Sequence, residues 1–270
     1  MNNSSDTLNR VEKKNSDILN KTKKSHSNNL RRLIITDVSR MEGDKICIFG
    51  IDADYNPIRP TIPIELIHEY RLFDKERKHV VKPFAMIEFD MIRHYPNPPH
   101  IEDYIINPCS KPVFIRDLGG DEAEDFLKSI LYDDVKSIFG TRIFNNKYIP
   151  EHCGTRSIGT VEVKRLKRIK VSVDNKGNPH PRIVFLDSSG EEYDLPITDC
   201  AFRKYYQNHL KENINLAIIN SFIESIFQKG VLYVRVGLSR AWSKNSKNKI
   251  HYLLLTGIYS FPDYKRYEIP

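Results

Sequence analysis

The stretch Val231 to Tyr264, VLYVRVGLSRAWSKNSKNKIHYLLLTGIYSFPDY, constrains the fold more than any other, because it reads as two strands joined by a basic loop. Alternate residues Leu232, Val234, Val236 and Leu238 are apolar, so Val231, Tyr233, Arg235 and Gly237 face the other way. One face belongs to a core, and the other is expected to present a ring beside a guanidinium. The loop adds Arg240, Trp242 (the single tryptophan), Lys244, Lys247 and Lys249, and Ile250 to Ser260 forms the return strand, closed by Pro262. Rings, arginines and lysines on one hairpin suit base stacking and phosphate neutralisation along single-stranded nucleic acid. They describe an ordinary solvated hairpin as well.

Working outward from this hairpin, the C-terminal half carries the sharper pattern. Gly159 to Val173 reads as one long strand with a bulge or bend in its middle, where Leu166 interrupts the apolar phase. Pro181 to Asp187 and Glu191 to Thr198 pair around Ser188-Ser189-Gly190. Asp199 opens a helical stretch that Asn213 re-caps, with Ile214, Ile218, Phe222, Ile226 and Phe227 as its buried stripe and Gly230 as its end. The order β-β-β-α-β-β is that of a five-stranded OB barrel.

The N-terminal half follows this order less cleanly. Residues 1 to 30 are rich in Asn, Ser and Lys and are expected to be a disordered basic tail. Strands are expected over Leu33 to Val38 and Lys45 to Ile51, joined by a turn at Glu42-Gly43-Asp44. A short helix near Ile64 to His68, a strand over Lys82 to Ile92 covered on both faces, and a strand over Pro112 to Arg116 complete the half. Asp121 to Phe139 reads as one amphipathic helix, N-capped by Asp121 and stopped by Gly140. Its outer face is acidic, which excludes it as a phosphate site. Val38-Ser39-Arg40 and Leu238-Ser239-Arg240 echo each other, each followed by a polar loop and then Lys-Ile, at Lys45-Ile46 and Lys249-Ile250. So short an echo fits two tandem barrels without establishing a repeat.

The resulting expectation is a mainly β chain with helices: two OB-like five-stranded barrels in tandem, connected by an amphipathic helix. The boundaries are 1–30 for the tail, 31–118 for the first barrel, 119–154 for the connection and 155–270 for the second.

Charge narrows the function. The net charge is +7, but residues 1–32 carry eight Lys/Arg against three Asp/Glu, and the remainder 34 against 32, so basic surface on the folded part must be local. Cys47, Cys109, Cys153 and Cys200 form no CxxC or zinc-spaced pattern and are expected to be reduced thiols of a cytoplasmic protein with no metal or other cofactor. No apolar run reaches membrane-spanning length.

Four stretches resemble the prokaryotic dual OB-containing domain family: RLIITDVSRM (Arg32 to Met41), KPFAMIEFDMI with PPHIED (Pro98 to Asp103), TRSIGTV (Thr155 to Val161), and VGLSRAW with LLLTGIYSFPDY. The resemblance implies two OB-like units, nucleic-acid binding by analogy of fold, and a place in prokaryotic defence systems; it transfers no catalytic residue.

Three readings are open. In the first, single-stranded RNA or DNA stacks on Tyr233 and Trp242, while Lys164, Arg168, Arg235 and Arg240 hold phosphates, with Arg40 and Arg59 as the N-terminal candidates. Each could instead be a solvated or snorkelling side chain. In the second, the chain is an enzyme using His100, Glu102 and Asp103, with His152 beside Arg156-Ser157 as a fainter version; paired charges capping a domain boundary are the bland alternative. In the third, the barrels are an adaptor for a protein partner.

Overall fold

The computed structural model describes residues 29–62, 66–74, 76–243 and 249–262. The basic tail to residue 28, the start of the expected helix at Ile64, the lysines of the 244–248 loop, and Tyr264 lie outside the described residues.

Five strands of the N-terminal half close into a ring. β1 (Leu30–Arg40) pairs antiparallel with β2 (Lys45–Ile51) on one side and with β5 (Ala85–His94) on the other. β2 continues to β3 (Pro57–Thr61), β3 runs parallel to β6 (Asp103–Ile106), and β6 returns antiparallel to β5. The order β1-β2-β3-β6-β5-β1 is that of a closed OB barrel, which leaves no edge within the ring. Alternation fills it: Leu33 and Ile35 of β1, Ile46 and Ile48 of β2, Ile58 of β3, and Ala85, Ile87, Phe89 and Met91 of β5 form one buried cluster. Outside the ring, β4 (Ile67–His68) adds to β2 and β7 (Val113–Asp117) adds to β5. The expected helix near His68 is replaced by β4 and a single 3-10 turn, Glu69–Leu72. β5 buries one face fully and the other only in part, so it is not covered on both sides.

The single helix expected over Asp121 to Phe139 is two. α1 (Gly120–Ser129) starts before Asp121, and α2 (Val135–Phe139) is N-capped by Asp134, whose carboxylate accepts from the Ser137 amide at 2.7 Å. Between them the chain leaves the helix and runs beside Thr160: Leu131 bridges Thr160, and the Tyr132 amide donates to the Thr160 carbonyl at 2.9 Å. Gly140 stops α2 in the left-handed conformation, φ 61°.

The C-terminal half is more open. Its expected first strand breaks at Val163–Lys164 into β9 (Ile158–Glu162) and β10 (Arg165–Val173), and β10 carries a bulge between Leu166 and Arg168. β10, β11 (Pro179–Leu186) and β12 (Glu192–Pro196) make one sheet; β8 (Tyr148–Pro150), β14 (Ile250–Phe261), β13 (Val231–Leu238) and β9 make another. Chain continuity joins them at the break. On the far side the only β12–β14 pairing among the described residues is a parallel bridge, Ile197 to Leu255. This is OB strand order curled into a partial barrel. Helix α3 (Cys200–Lys211) is capped by Asp199 as expected. Helix α4 (Leu216–Phe227) is capped by Asn215 rather than Asn213, and it buries Ile219, Ile223, Ile226 and Phe227 while Ile218 and Phe222 stay outside. The Ser-Arg echo falls on the first and second strands of one unit and the fourth and fifth of the other, so it marks no repeat. No helix among the described residues is long and apolar enough to cross a membrane.

Candidate nucleic-acid interface

The start of β14 divides its side chains by strand alternation. Leu253 and His251 turn inward and are buried, so Tyr252 and Ile250 turn outward. On one side Tyr148 of β8 lies opposite Tyr252; on the other, Trp242 bridges Ile250 through two 2.9 Å backbone hydrogen bonds. Before β8, Asn145 and Asn146 adopt left-handed φ angles of 51° and 54°, a conformation asparagine tolerates in tight turns, and this folds Phe144 back over Tyr148.

The result is a ladder of four rings from three neighbouring segments. Phe144 and Tyr148 are stacked with centroids 5.7 Å apart and planes 15° apart. Tyr148 meets Tyr252 at 6.4 Å, and Tyr252 meets Trp242 at 6.1 Å. Trp242 is 51% exposed and Tyr252 38%. The Arg142 guanidinium sits 5.0 Å from the Phe144 centroid. Lys147 and Lys249 are exposed beside the ladder, the latter 3.3 Å from Glu151. An open groove of about 650 Å³ runs along Phe144, Tyr148, His152 and Lys249.

The other expected site residues are scattered. Tyr233 and Arg235 do not face solvent: they are 1% and 2% exposed, because the outer face of β13 packs against the first barrel. Arg235 donates from Nε to Asp37 at 2.9 Å and from Nη1 to Thr160 at 2.7 Å, with its guanidinium 5.2 Å from the Phe49 ring. Tyr233 packs edge-on against Phe261. Neither lies on an outer surface that a single strand could track. Arg59 is likewise buried, with Nε bonded to Asp103 at 2.5 Å, and Asp103 also holds Arg240 at 2.8 Å. These two arginines therefore meet at one carboxylate, Arg240 keeping a partly exposed side chain. Arg40 pairs with Glu69 at 3.1 Å. Lys164 and Arg168 are exposed, but at the opposite end of β13 from Trp242: the Val163 amide meets Leu232 while the Leu238 amide meets Ser157.

The loop considered for catalysis joins the two units. Glu102 accepts from the Ser157 amide at 2.8 Å and the Ser157 hydroxyl at 2.9 Å, so it and Asp103 serve different partners. His100 is buried with its ring 5.3 Å from that of His251, and burial, reinforced by Arg59 and Arg240, pushes its pKa down to about 2. Among the described residues no group of three or more His, Cys, Asp or Glu is placed to hold a metal.

Sequence reasoning missed Phe144, Tyr148 and Tyr252. For Phe144 and Tyr148 the signal was the grouping of two rings with Arg142 and Lys147 in RIFNNKY, within a stretch that reads as an irregular linker; Tyr252 gave none beyond its outward phase in the return strand.

No curated protein matches the chain. A crystal structure of the tetrameric p202 HIN2 is similar over 85% of this chain and 95% of that one, at 8% identity and a TM-score of 0.28, too low to carry an argument. A family profile described as the dual OB-containing domain matches residues 31–258. With a closed OB ring in one half and OB strand order in the other, the chain belongs to the dual OB-containing domain family.

Proposed function

We propose that the protein is a binding module for single-stranded nucleic acid, RNA or DNA, and that the ring ladder is its contact surface. The observation that supports it is the run of four rings across β8, β14 and the β13–β14 loop, flanked by Arg142, Lys147 and Lys249. The loop between the fourth and fifth strands is one of the two that OB folds use for oligonucleotides. Bases stack on Trp242 and Tyr252, and phosphates follow the flanking cations and the exposed edge of Arg240. Lys164 and Arg168 supply a separate basic patch for a longer strand. A place in a prokaryotic defence system is the setting that family membership suggests.

Fluorescence anisotropy with labelled single-stranded RNA and DNA, across a salt series, tests this reading. Log affinity should fall with log salt by about 0.7 per phosphate contact. Binding should survive removal of residues 1–28 and weaken in Trp242→Ala. Binding that leaves with the tail, or ignores Trp242→Ala, would show that the ladder is not the surface. One observation favours a protein-adaptor reading instead: Ile218 and Phe222, one turn apart on α4, are 64% and 46% exposed. An adaptor would bind no oligonucleotide at any salt concentration.

A further inference from the structure

A second concavity, about 330 Å³, opens between the two units and includes none of the ladder rings. Ile51 and Tyr55 line it from the first unit; Tyr132, Arg156 and Ile158 line it from the other side, with Arg235 in its wall. Its volume lies at the small end of the range of roughly 300–1,000 Å³ typical of ligand sites, the size of one nucleotide rather than an oligomer.

The cleft is built from fixed parts. The Arg156 guanidinium lies 5.0 Å from the centre of the Tyr132 ring. That ring has room only because residue 159 is glycine: a Cβ there would meet Tyr132 Cδ2 at 2.8 Å. Arg235 uses Nε and Nη1 on Asp37 and Thr160, and its Nη2 is buried with no hydrogen-bond partner. A buried guanidinium N–H without an acceptor is costly, and a ligand oxygen would supply one. At the mouth, Tyr55 is exposed and held at φ 62°, uncommon for a bulky residue, by a turn in which Asp52 accepts the Asp54 and Asn56 amides at 3.0 and 2.9 Å.

We propose that this cleft is a mononucleotide site. The base lies among Tyr55, Tyr132, Ile51 and Ile158, and the phosphate is held by Arg156 with Arg235 as second donor. Apolar walls with a few convergent polar groups are the usual make-up of such a pocket, and guanidinium donors suit a phosphate. The proposal does not rest on the ring ladder.

Isothermal titration of the full chain with adenosine 5′-monophosphate, adenosine and inorganic phosphate tests it. The monophosphate should bind saturably and be displaced by phosphate, with adenosine about tenfold weaker or worse. Arg156→Ala should weaken the monophosphate by about tenfold or more, and Arg156→Lys less so. Tyr55→Ala, at an exposed turn, gives a second variant should Arg156→Ala fold poorly, and it too should weaken binding. Absence of saturable binding at millimolar ligand, equal binding of adenosine, or wild-type affinity in both Arg156→Ala and Tyr55→Ala would each overturn the site. Loss of oligonucleotide binding alone, with the monophosphate intact, would sink only the ladder.

Discussion

The two OB-like units solve the same closure problem differently. In the first, every strand of the ring has a laddered neighbour on both sides, β1 taking β2 and β5 at once. In the second, the matching seam among the described residues is one bridge, Ile197 to Leu255. What the second unit lacks in its own ladder it draws from the first. Asp37 of β1 accepts from Arg235, Thr36 and Thr256, the Tyr259 hydroxyl donates to the Thr36 carbonyl, and Phe84 packs edge-on against Tyr259. The first barrel thus acts as a wall of the second. The docking covers the Tyr233 and Arg235 part of the outer sheet face, and the rings stand on the start of β14, on β8 and on the β13–β14 loop, beyond that contact.

The largest test of this dependence is Arg235→Ala, which strands the Asp37 carboxylate. Breaking a buried pair from one side costs about 3–5 kcal/mol, measured as a shift in urea midpoint. A loss under about 1 kcal/mol would mean that the second unit stands without the first. Next comes Glu102→Ala, which removes two charge-assisted bonds to Ser157 and should cost about 1.5–3 kcal/mol. If the units are coupled, both variants should keep a single transition; two separated transitions would break the comparison.

Trp242→Ala should behave oppositely, leaving the midpoint unchanged while weakening single-stranded oligonucleotides by about 1–3 kcal/mol. The smallest net effect is on pH, where one group from each unit pulls against the other. Burial lowers the His100 pKa to about 2, so the unfolded chain takes up the proton first and stability falls as pH drops below about 6.5. Burial raises the Asp199 pKa to about 7 against the pull of the Phe202 and Ile258 amides. The folded state therefore keeps that proton, and stability is lost as pH rises from about 4 toward 7. The two slopes oppose each other between about pH 4 and 6.5. His100→Gln should expose a stability that rises on acidification, and Asp199→Asn, which keeps a capping side chain, one that falls. Denaturation midpoints at pH 4.5 and 6.5 decide it; equal slopes in both variants would discard the assignment.

The parts of this fold legible in the sequence are those whose signal is local. The β1–β2 hairpin, the bent β9–β10 run, the Asp199 cap and the β13–β14 pair all follow from alternation, turn chemistry or capping. The closed ring was harder to see because β3 and β6 are short and sit beside prolines, where alternation has too few residues to register. Helix α4 was misphased for a related reason: it is apolar on more than one side, and only packing chose Ile219 and Ile223 over Ile218 and Phe222.

The site divides the same way. Of the rings in the proposed site, Trp242 stands in a basic loop between two readable strands and could be named from sequence, whereas Tyr148 and Tyr252 become neighbours only through the β8–β14 pairing. For Tyr233 and Arg235 the alternation was read correctly and the conclusion was not, because two-fold periodicity says that a side chain leaves one face without saying what covers the other. The sequence by itself determined the long strands and their hairpins, the Asp199 cap, two OB-like units and the placing of charge in a few patches. Which faces are surface was decided by the docking of one barrel on the other, through contacts such as Asp37 to Arg235 that span most of the chain and leave no local trace in it.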